Sequence, residues 1–302
     1  MKKALVFGGS GFLGSHVVDA LFNKGFEVTI FDLAPSRFLR PEYKMIVGST
    51  SDRDLVFSSL EGMDYVYHFS GIAGIADADA DPVKTADANF MSTLYILDAC
   101  VKHKVSRLMY ASTVYVYSEY GSFYRCSKQA AEIFIENYHQ VYDLNYTIMR
   151  YGSLYGRRSN HFNFIGNIIR QALQEKKITR KGNGEEIRDY INVMDAARMS
   201  VELLNTKEST DYVSLTGNQT LRVKDLLLMV KEIFGNSIDI EYLGGDNEGH
   251  YMITPYAFKP VVARKYTSDY YLDLGQGVLD CIHEIYDELE AKGHELPPII
   301  TK

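Results

Sequence analysis

Three glycines at a spacing of three, Gly8, Gly11 and Gly14, separate a short apolar run, Ala4 to Phe7, from a stretch with helical periodicity. The start of the chain is thereby limited to a buried strand, a tight turn and a helix. Gly8 permits the sharp turn, Gly11 lets the backbone approach a pyrophosphate, and Gly14 lets the helix pack closely on the strand while its first amides face the phosphates. Glycine triplets recur in α/β turns generally, so context decides. Glu27-Val-Thr-Ile-Phe-Asp32 supplies a second strand ending in an acid about 20 residues beyond the glycines, and the whole reads as a dinucleotide cradle. A carboxylate at Asp32 accepts hydrogen bonds from both hydroxyls of an adenosine ribose and repels a 2′-phosphate. Charge therefore favours NAD over NADP, with Arg37 the neighbour that argues the other way.

A chain of 302 residues can hold one large or two modest domains. Its net charge is -7 with Lys and Arg scattered, which argues against a nucleic-acid partner. No apolar stretch approaches the ~20 residues that cross a bilayer, and the amino terminus runs into the first strand without a signal-peptide core. No membrane association and a cytoplasmic location are the expectations. Cys100, Cys126 and Cys281 show neither paired nor metal spacing, so they are expected to be buried free thiols. The eight histidines form no HxxxH or HExxH arrangement, and no metal is expected.

Further strands are expected near Lys44 to Gly48 and Asp64 to Phe69, the second closed by Ser70-Gly71, with a helix over Ser51 to Leu60 between them. Strands alternating with helices mean an α/β fold, a doubly wound parallel sheet of Rossmann type. Ligands of such sheets lie at the carboxyl ends of the strands, which lines up Gly8 to Gly14, Asp32 and Ser70-Gly71. The Ala-Asp repeats of residues 72 to 81 lack a calcium-loop glycine and read as a mobile loop over the site. Pro82 then opens a helix to about Lys104, with Asn89 near its start. Arg107 to Thr113 is a fifth strand ending in two hydroxyls, and Tyr124-Arg-Cys-Ser-Lys128 opens the next helix, to about Val141. The i, i+4 spacing puts phenol and ammonium on one helix face. A tyrosine has an unperturbed pKa of ~10 and works as a base at neutral pH only if its ionised form is stabilised, which Lys128 and a nicotinamide cation can supply.

Gly8-x-x-Gly11-x-x-Gly14, Thr113, Tyr124-x-x-x-Lys128, Arg150-Tyr-Gly-Ser-Leu-Tyr-Gly156 and Arg188-Asp-Tyr-Ile-Asn-Val-Met-Asp195 stand in the order found in the extended short-chain dehydrogenases/reductases. The chain resembles the nucleotide-sugar epimerase/dehydratase family, with most likeness to UDP-galactose 4-epimerases, over about residues 1 to 235. The resemblance implies that Tyr124 is the base that takes the sugar hydroxyl proton. Lys128 lowers its pKa and binds the nicotinamide ribose, and Thr113 hydrogen-bonds the reacting oxygen. It implies NAD contacts at Gly8, Gly11, Phe12, Leu13, Gly14, Asp32, Leu33, Phe69, Ser70, Gly71, Asn89, Tyr124, Lys128 and Tyr151. Substrate contacts are implied at Thr113, Ser153 and Arg188, the last on the nucleotide diphosphate, and the helices near 90 to 104 and 125 to 141 are implied to pair two copies into a homodimer.

The chain departs from the family pattern in four ways. Ser49 replaces an aspartate near the adenine, and Ser153 replaces an asparagine near the substrate diphosphate. The segment from Thr113 to Tyr124 is about a dozen residues short; its ten residues still reach ~33 Å, enough for the catalytic groups to meet under a reduced cover. Val114 and Tyr115 stand where 4,6-dehydratases carry Asp-Glu, which speaks against that activity.

Two arginines in Gly156 to Asn160 suggest a phosphate-facing loop, and helices are expected over Asn163 to Lys177, Leu221 to Phe234 and Gly277 to Glu290. The segment from Gly244 to Lys265 reads as either a lid or an ordered surface loop. The expected organisation is an NAD-binding domain over 1–155, with parts of 185–215 returning to it, and a smaller nucleotide-sugar domain over 156–302. The expected function is NAD-dependent 4-epimerisation of a nucleotide diphosphate-sugar through a 4-keto intermediate. A 4-dehydrogenase or 4-keto reductase uses the same residues; a 4,6-dehydratase and a non-catalytic NAD-responsive binding protein are the remaining readings.

Overall fold

Ala4 to Phe7 have no exposed surface, and this apolar run forms the centre of β1 (Lys3–Phe7). The computed structural model describes residues 1–160, 163–206, 210–245, 250–254 and 264–297. In chain order the strands are β1, β2 (Glu27–Asp32), β3 (Lys44–Val47), β4 (Tyr65–His68), β5 (Arg107–Thr113), β6 (Tyr146–Tyr151), β7 (Ser153–Tyr155), β8 (Lys177–Arg180), β9 (Ile187–Asn192), β10 (Thr210–Leu215), β11 (Thr220–Arg222), β12 (Asp239–Tyr242) and β13 (Arg264–Lys265).

Two compact units divide the chain. The first comprises residues 1–151, 196–215 and 255–266. Its eight strands pair in parallel in the order β13-β10-β6-β5-β4-β1-β2-β3, the doubly wound sheet expected. Strand order reverses between β1 and β4, so the loops after these two strands open on the switch point where such sheets bind ligands. Helices α1 (Phe12–Asn23), α2 (Arg53–Ser59), α3 (Ile75–Ala80), α4 (Pro82–Ala86), α5 (Ser92–Lys102) and α6 (Ser122–Tyr142) belong to this unit. Leu5, Phe7, Val66, Ile96, Leu108, Ile135 and Ile148 meet in its core, which accounts for the near-continuous apolar strands.

The second unit comprises 152–195, 216–254 and 267–302. It holds the sheet β11-β9-β7, the pair β12-β8, and helices α7 (Phe164–Glu175), α9 (Val223–Ile233) and α10 (Leu274–Ala291), packed on a core of Ile168, Ile169, Leu226, Leu227, Val278 and Ile282. Helix α8 (Val193–Glu202) crosses the boundary. The first unit thus ends its leading segment at residue 151 and takes residues 196–215, while residues 185–195 lie in the second.

Three local expectations need correction. Residues 75–80 are the helix α3 and not a loop, because alanine carries the highest helix propensity and three of its six residues are alanine. Asp81 then accepts the Lys84 N–H and caps α4, which has Pro82 in its first turn. The helix expected from Pro82 to Lys104 is interrupted by a π turn over Asp87–Met91, which no sequence period reveals. Of the three thiols, Cys100 and Cys281 are buried but Cys126 is exposed. The segment from Gly244 to Lys265 falls largely outside the described residues; of its described parts, Gly244 bridges Gly182 and Ile253 bridges Ile187. Among the described residues no helix is long and apolar enough to cross a membrane.

Candidate active site

The turn after β1 is closed as the three glycines require. Gly8 has φ +78°, and a side chain there would meet the Ser70 amide nitrogen at 2.6 Å. A Cβ on Gly14 would lie 2.1 Å from the Gly8 carbonyl oxygen. Hydrogen alone fits, so α1 approaches the turn closely and begins at Gly11, leaving the amides of Phe12, Leu13 and Gly14 at its N-terminus. Both side chains of Phe12 and Leu13 are half-buried.

Asp32 at the end of β2 is held by the backbone: Ser10 N donates to Oδ2 at 2.9 Å and Leu33 N to Oδ1 at 2.7 Å. The carboxylate is thus fixed beside the glycine turn, and Leu33 points to solvent, 73% exposed. After β4, Phe69 lies against Tyr67 and Tyr151, ring centroids 5.9 and 6.5 Å away. Ser70 Oγ lies 3.1 Å from His68 Nδ1. Asn89, in the π turn, is buried and braces this loop: its Oδ1 accepts from Ile72 N at 2.6 Å, and its Nδ2 donates to Ile72 O and to Ser127 Oγ. The π turn aims Asn89 inward at Gly71 and Ile72, and its amide is committed within the protein. The phenol of Tyr151 is likewise committed, 2.6 Å from Ser200 Oγ.

The candidate acid-base groups gather at the carboxyl end of β5. Thr113 ends that strand and hydrogen-bonds the phenol of Tyr124 in the first turn of α6. Burial pushes the Tyr124 phenol up to about 12, with the Thr113 hydrogen bond opposing. Lys128, one turn on, is buried; burial lowers its ammonium to about 8 against the opposing pull of Glu132. Its Nζ donates to Ala111 O at 2.9 Å and lies 4.8 Å from the centre of the Tyr110 ring. The groups behind this pair carry no motif of their own in the sequence. Glu132, at i+4 from Lys128, is buried and paired with Arg150 of β6, and His68 is buried between Ser70 and Thr93. The i, i+4, i+8 spacing of Tyr124, Lys128 and Glu132 was the available signal.

In the second unit Ser153 begins β7 and pairs in register with Tyr190. Arg188 is buried on β9, its guanidinium 4.2 Å from the centre of the Tyr251 ring. Arg158 in the loop after β7 uses its backbone N–H on Glu284 at 2.9 Å. The Arg158 backbone is left-handed, with φ +63°.

Residues 4–213 match the model of the "NAD dependent epimerase/dehydratase family". A putative UDP-glucose 4-epimerase of Methanocaldococcus jannaschii is 28% identical over 252 residues, 76% of this chain and 82% of the relative. A UDP-N-acetyl-alpha-D-glucosaminuronate decarboxylase of Bacillus cytotoxicus is 25% identical over 291 residues, 87% of this chain and 88% of the relative. The solved structure of a UDP-glucuronic acid 4-epimerase from Bacillus cereus, in complex with UDP-glucuronic acid and NAD, superposes with a TM-score of 0.82 at 24% identity, covering 95% of this chain and 99% of that one. The glycine turn, the acid at the end of β2 and the matched sequence together assign the chain to the NAD dependent epimerase/dehydratase family, with NAD as its cofactor.

Proposed function

We propose that this enzyme epimerises the sugar of a nucleotide diphosphate-sugar at C4, with Tyr124 as base. The observation that carries the reading is the set Thr113, Tyr124 and Lys128 brought together at one strand end, with the phenol hydrogen-bonded and the ammonium buried. Tyr124 takes the C4 hydroxyl proton, Thr113 hydrogen-bonds the reacting oxygen, and Lys128 supplies positive charge beside the nascent phenolate. A phenol at about 12 is too basic to be ionised at neutral pH, so the chemistry needs a further cation close by. Bound NAD would supply a hydride acceptor for C4 and the positive charge of its nicotinamide ring. With hydride returned to the opposite face of the 4-keto sugar, Tyr124 would give its proton back to O4 and so complete epimerisation; release of the 4-keto sugar would make the enzyme a 4-dehydrogenase on the same residues.

Arg188 and Ser153 are assigned to the substrate diphosphate, and Gly11, Phe12, Leu13 and Gly14 to the NAD pyrophosphate. Asp32 and Leu33 are assigned to the adenosine ribose and adenine, and Phe69, Ser70, Gly71 and Tyr151 to the rest of the cofactor face. Asn89 acts by holding the Gly71–Ile72 loop. Association into a homodimer through α5 and α6, and a cytoplasmic location among its nucleotide-sugars, complete the reading. The test is a panel of nucleotide-sugars incubated with the enzyme and NAD, products weighed by mass spectrometry. Unchanged mass with a new sugar on hydrolysis supports epimerisation. Loss of two hydrogens, of water or of carbon dioxide assigns a dehydrogenase, a dehydratase or a decarboxylase. Tyr124→Phe with undiminished turnover would falsify the assignment of the base.

A further inference from the structure

Behind the catalytic groups lies a buried ion pair with no substrate role assigned to it. Glu132 follows Lys128 by one turn of α6, and its carboxylate takes Arg150 in two-pronged fashion, Nε to Oε1 at 3.0 Å and Nη2 to Oε2 at 2.5 Å. Ser112 Oγ donates to the same Oε1 at 2.5 Å. The remaining Arg150 nitrogen, Nη1, donates to Tyr117 OH at 2.6 Å, and the guanidinium is sandwiched 4.6 Å from the ring centres of Tyr117 and Tyr212. One ion pair therefore ties α6, β5, β6 and the turn Val114–Tyr117 together, and Thr113 sits between two of its anchors, Ser112 and that turn.

We propose that Glu132 and Arg150 are positioning residues for the Tyr124–Lys128 pair: they fix Thr113 at the end of β5, and the Glu132 carboxylate keeps the buried Lys128 an ammonium at the working pH. This inference rests on the proposed catalytic role of Tyr124 and Lys128. Isolated buried ion pairs rarely add net stability, which leaves orientation and local charge as their main effects here. The groups that face Lys128 are Tyr124 and Glu132 on its own helix, the Tyr110 ring and Ala111 carbonyl on β5, and His68 on β4; Arg150 on β6 reaches it through Glu132. Among these charged and titratable groups Glu132 is the one that favours the ammonium by opposite charge, against the burial that lowers Lys128 to about 8.

The test follows Lys128 itself by NMR titration of the full chain carrying 13C at the lysine ε position, its resonance assigned with Lys128→Arg. In Glu132→Gln the Lys128 titration is expected to fall by roughly one pH unit, and in Arg150→Met, which leaves the carboxylate unneutralised, to rise. The alkaline limb of kcat/KM is expected to move the same way in each. The double variant Glu132→Gln/Arg150→Met leaves neither partner of the ion pair as a lone charge, so it reports even if the single variants fail to fold, and it too is expected to lower the titration. A Lys128 titration unmoved in either folded variant lacking the carboxylate overturns the proposal. Failure of the catalytic reading shows separately, as full turnover by Lys128→Met, while the NMR titration still answers the electrostatic question.

Discussion

The hydroxyl of Thr113 serves the phenol of Tyr124 and the backbone of the following turn at once, hydrogen-bonding the phenol while accepting Tyr115 N–H at 3.2 Å. The turn therefore orients the hydroxyl, and the hydroxyl favours ionisation of the phenol. Thr113→Val keeps the shape and removes both hydrogen bonds. The expected result is a loss of about 10- to 100-fold in kcat with KM little changed, and recovery to within a few-fold in Thr113→Ser. Equal activity in Thr113→Val and the parent enzyme would remove Thr113 from the catalytic set.

Lys128 is held charged at a cost to folding. Its folded pKa, about 8, lies below the ordinary 10.5, so the unfolded chain binds the proton more tightly and stability contributed by this group rises with pH between those values. At neutral pH Lys128→Met is expected to stabilise the protein by about 2 kcal/mol, after allowance for the Ala111 carbonyl it leaves without its donor, while abolishing turnover. Urea unfolding at pH 7 reads the first effect and single-turnover kinetics the second.

His68 sets an acid limit. Burial, assisted by Lys128, lowers its pKa well below the model-peptide 6.5, and its two ring nitrogens face Thr93 and Ser70. As pH falls below about 6.5 the unfolded chain takes up a proton that the folded chain refuses. Stability is therefore full above that pH and is lost below it, at up to about 1.4 kcal/mol per pH unit. Denaturant midpoints at pH 7.5 and 5.0 are expected to converge in His68→Gln, and a parent-like difference in that variant counts against this account.

Gly14→Ala places a methyl against three backbone atoms, the Gly8 oxygen at 2.1 Å, the Gly8 carbonyl carbon at 2.8 Å and Gly9 Cα at 3.0 Å. None of these is a side chain that can rotate away. The expected outcome is a loss of at least 10-fold in NAD affinity, measured by calorimetry, with about 2 kcal/mol of destabilisation.

Ile133 and Phe134 on α6 are 54% and 42% exposed, and Phe134 lies 5.0 Å ring to ring from Phe90. An apolar face of this kind on α6 suits pairing with a second copy. Light scattering is expected to give a dimer for the parent protein at micromolar concentration and a monomer for Phe134→Glu; a monomeric parent sinks the idea.

How much of this was written in the chain follows from the range of the interactions. The doubly wound sheet was legible because buried parallel strands demand apolar runs, and the cradle because Gly8 and Gly14 meet local steric limits that no other residue satisfies. Tyr124 and Lys128 were legible because four residues make one helical turn. Less was legible wherever a side chain's role depends on partners distant in sequence. The helix over residues 75–80 was readable from its alanine content, but the π turn that points Asn89 at Ile72 has no period of its own. Tertiary structure alone decided that Lys128 would turn its ammonium to Ala111, that Glu132 would meet Arg150, and that His68 would be neutral. Each depends on burial and on elements brought together from 17 or more positions away, as for Lys128 and Ala111, and neither composition nor spacing encodes desolvation. The sequence determined the sheet, the glycine turn and the presence of a phenol and an ammonium on one helix face; packing determined their charge, because charge in a protein interior is set by what surrounds it.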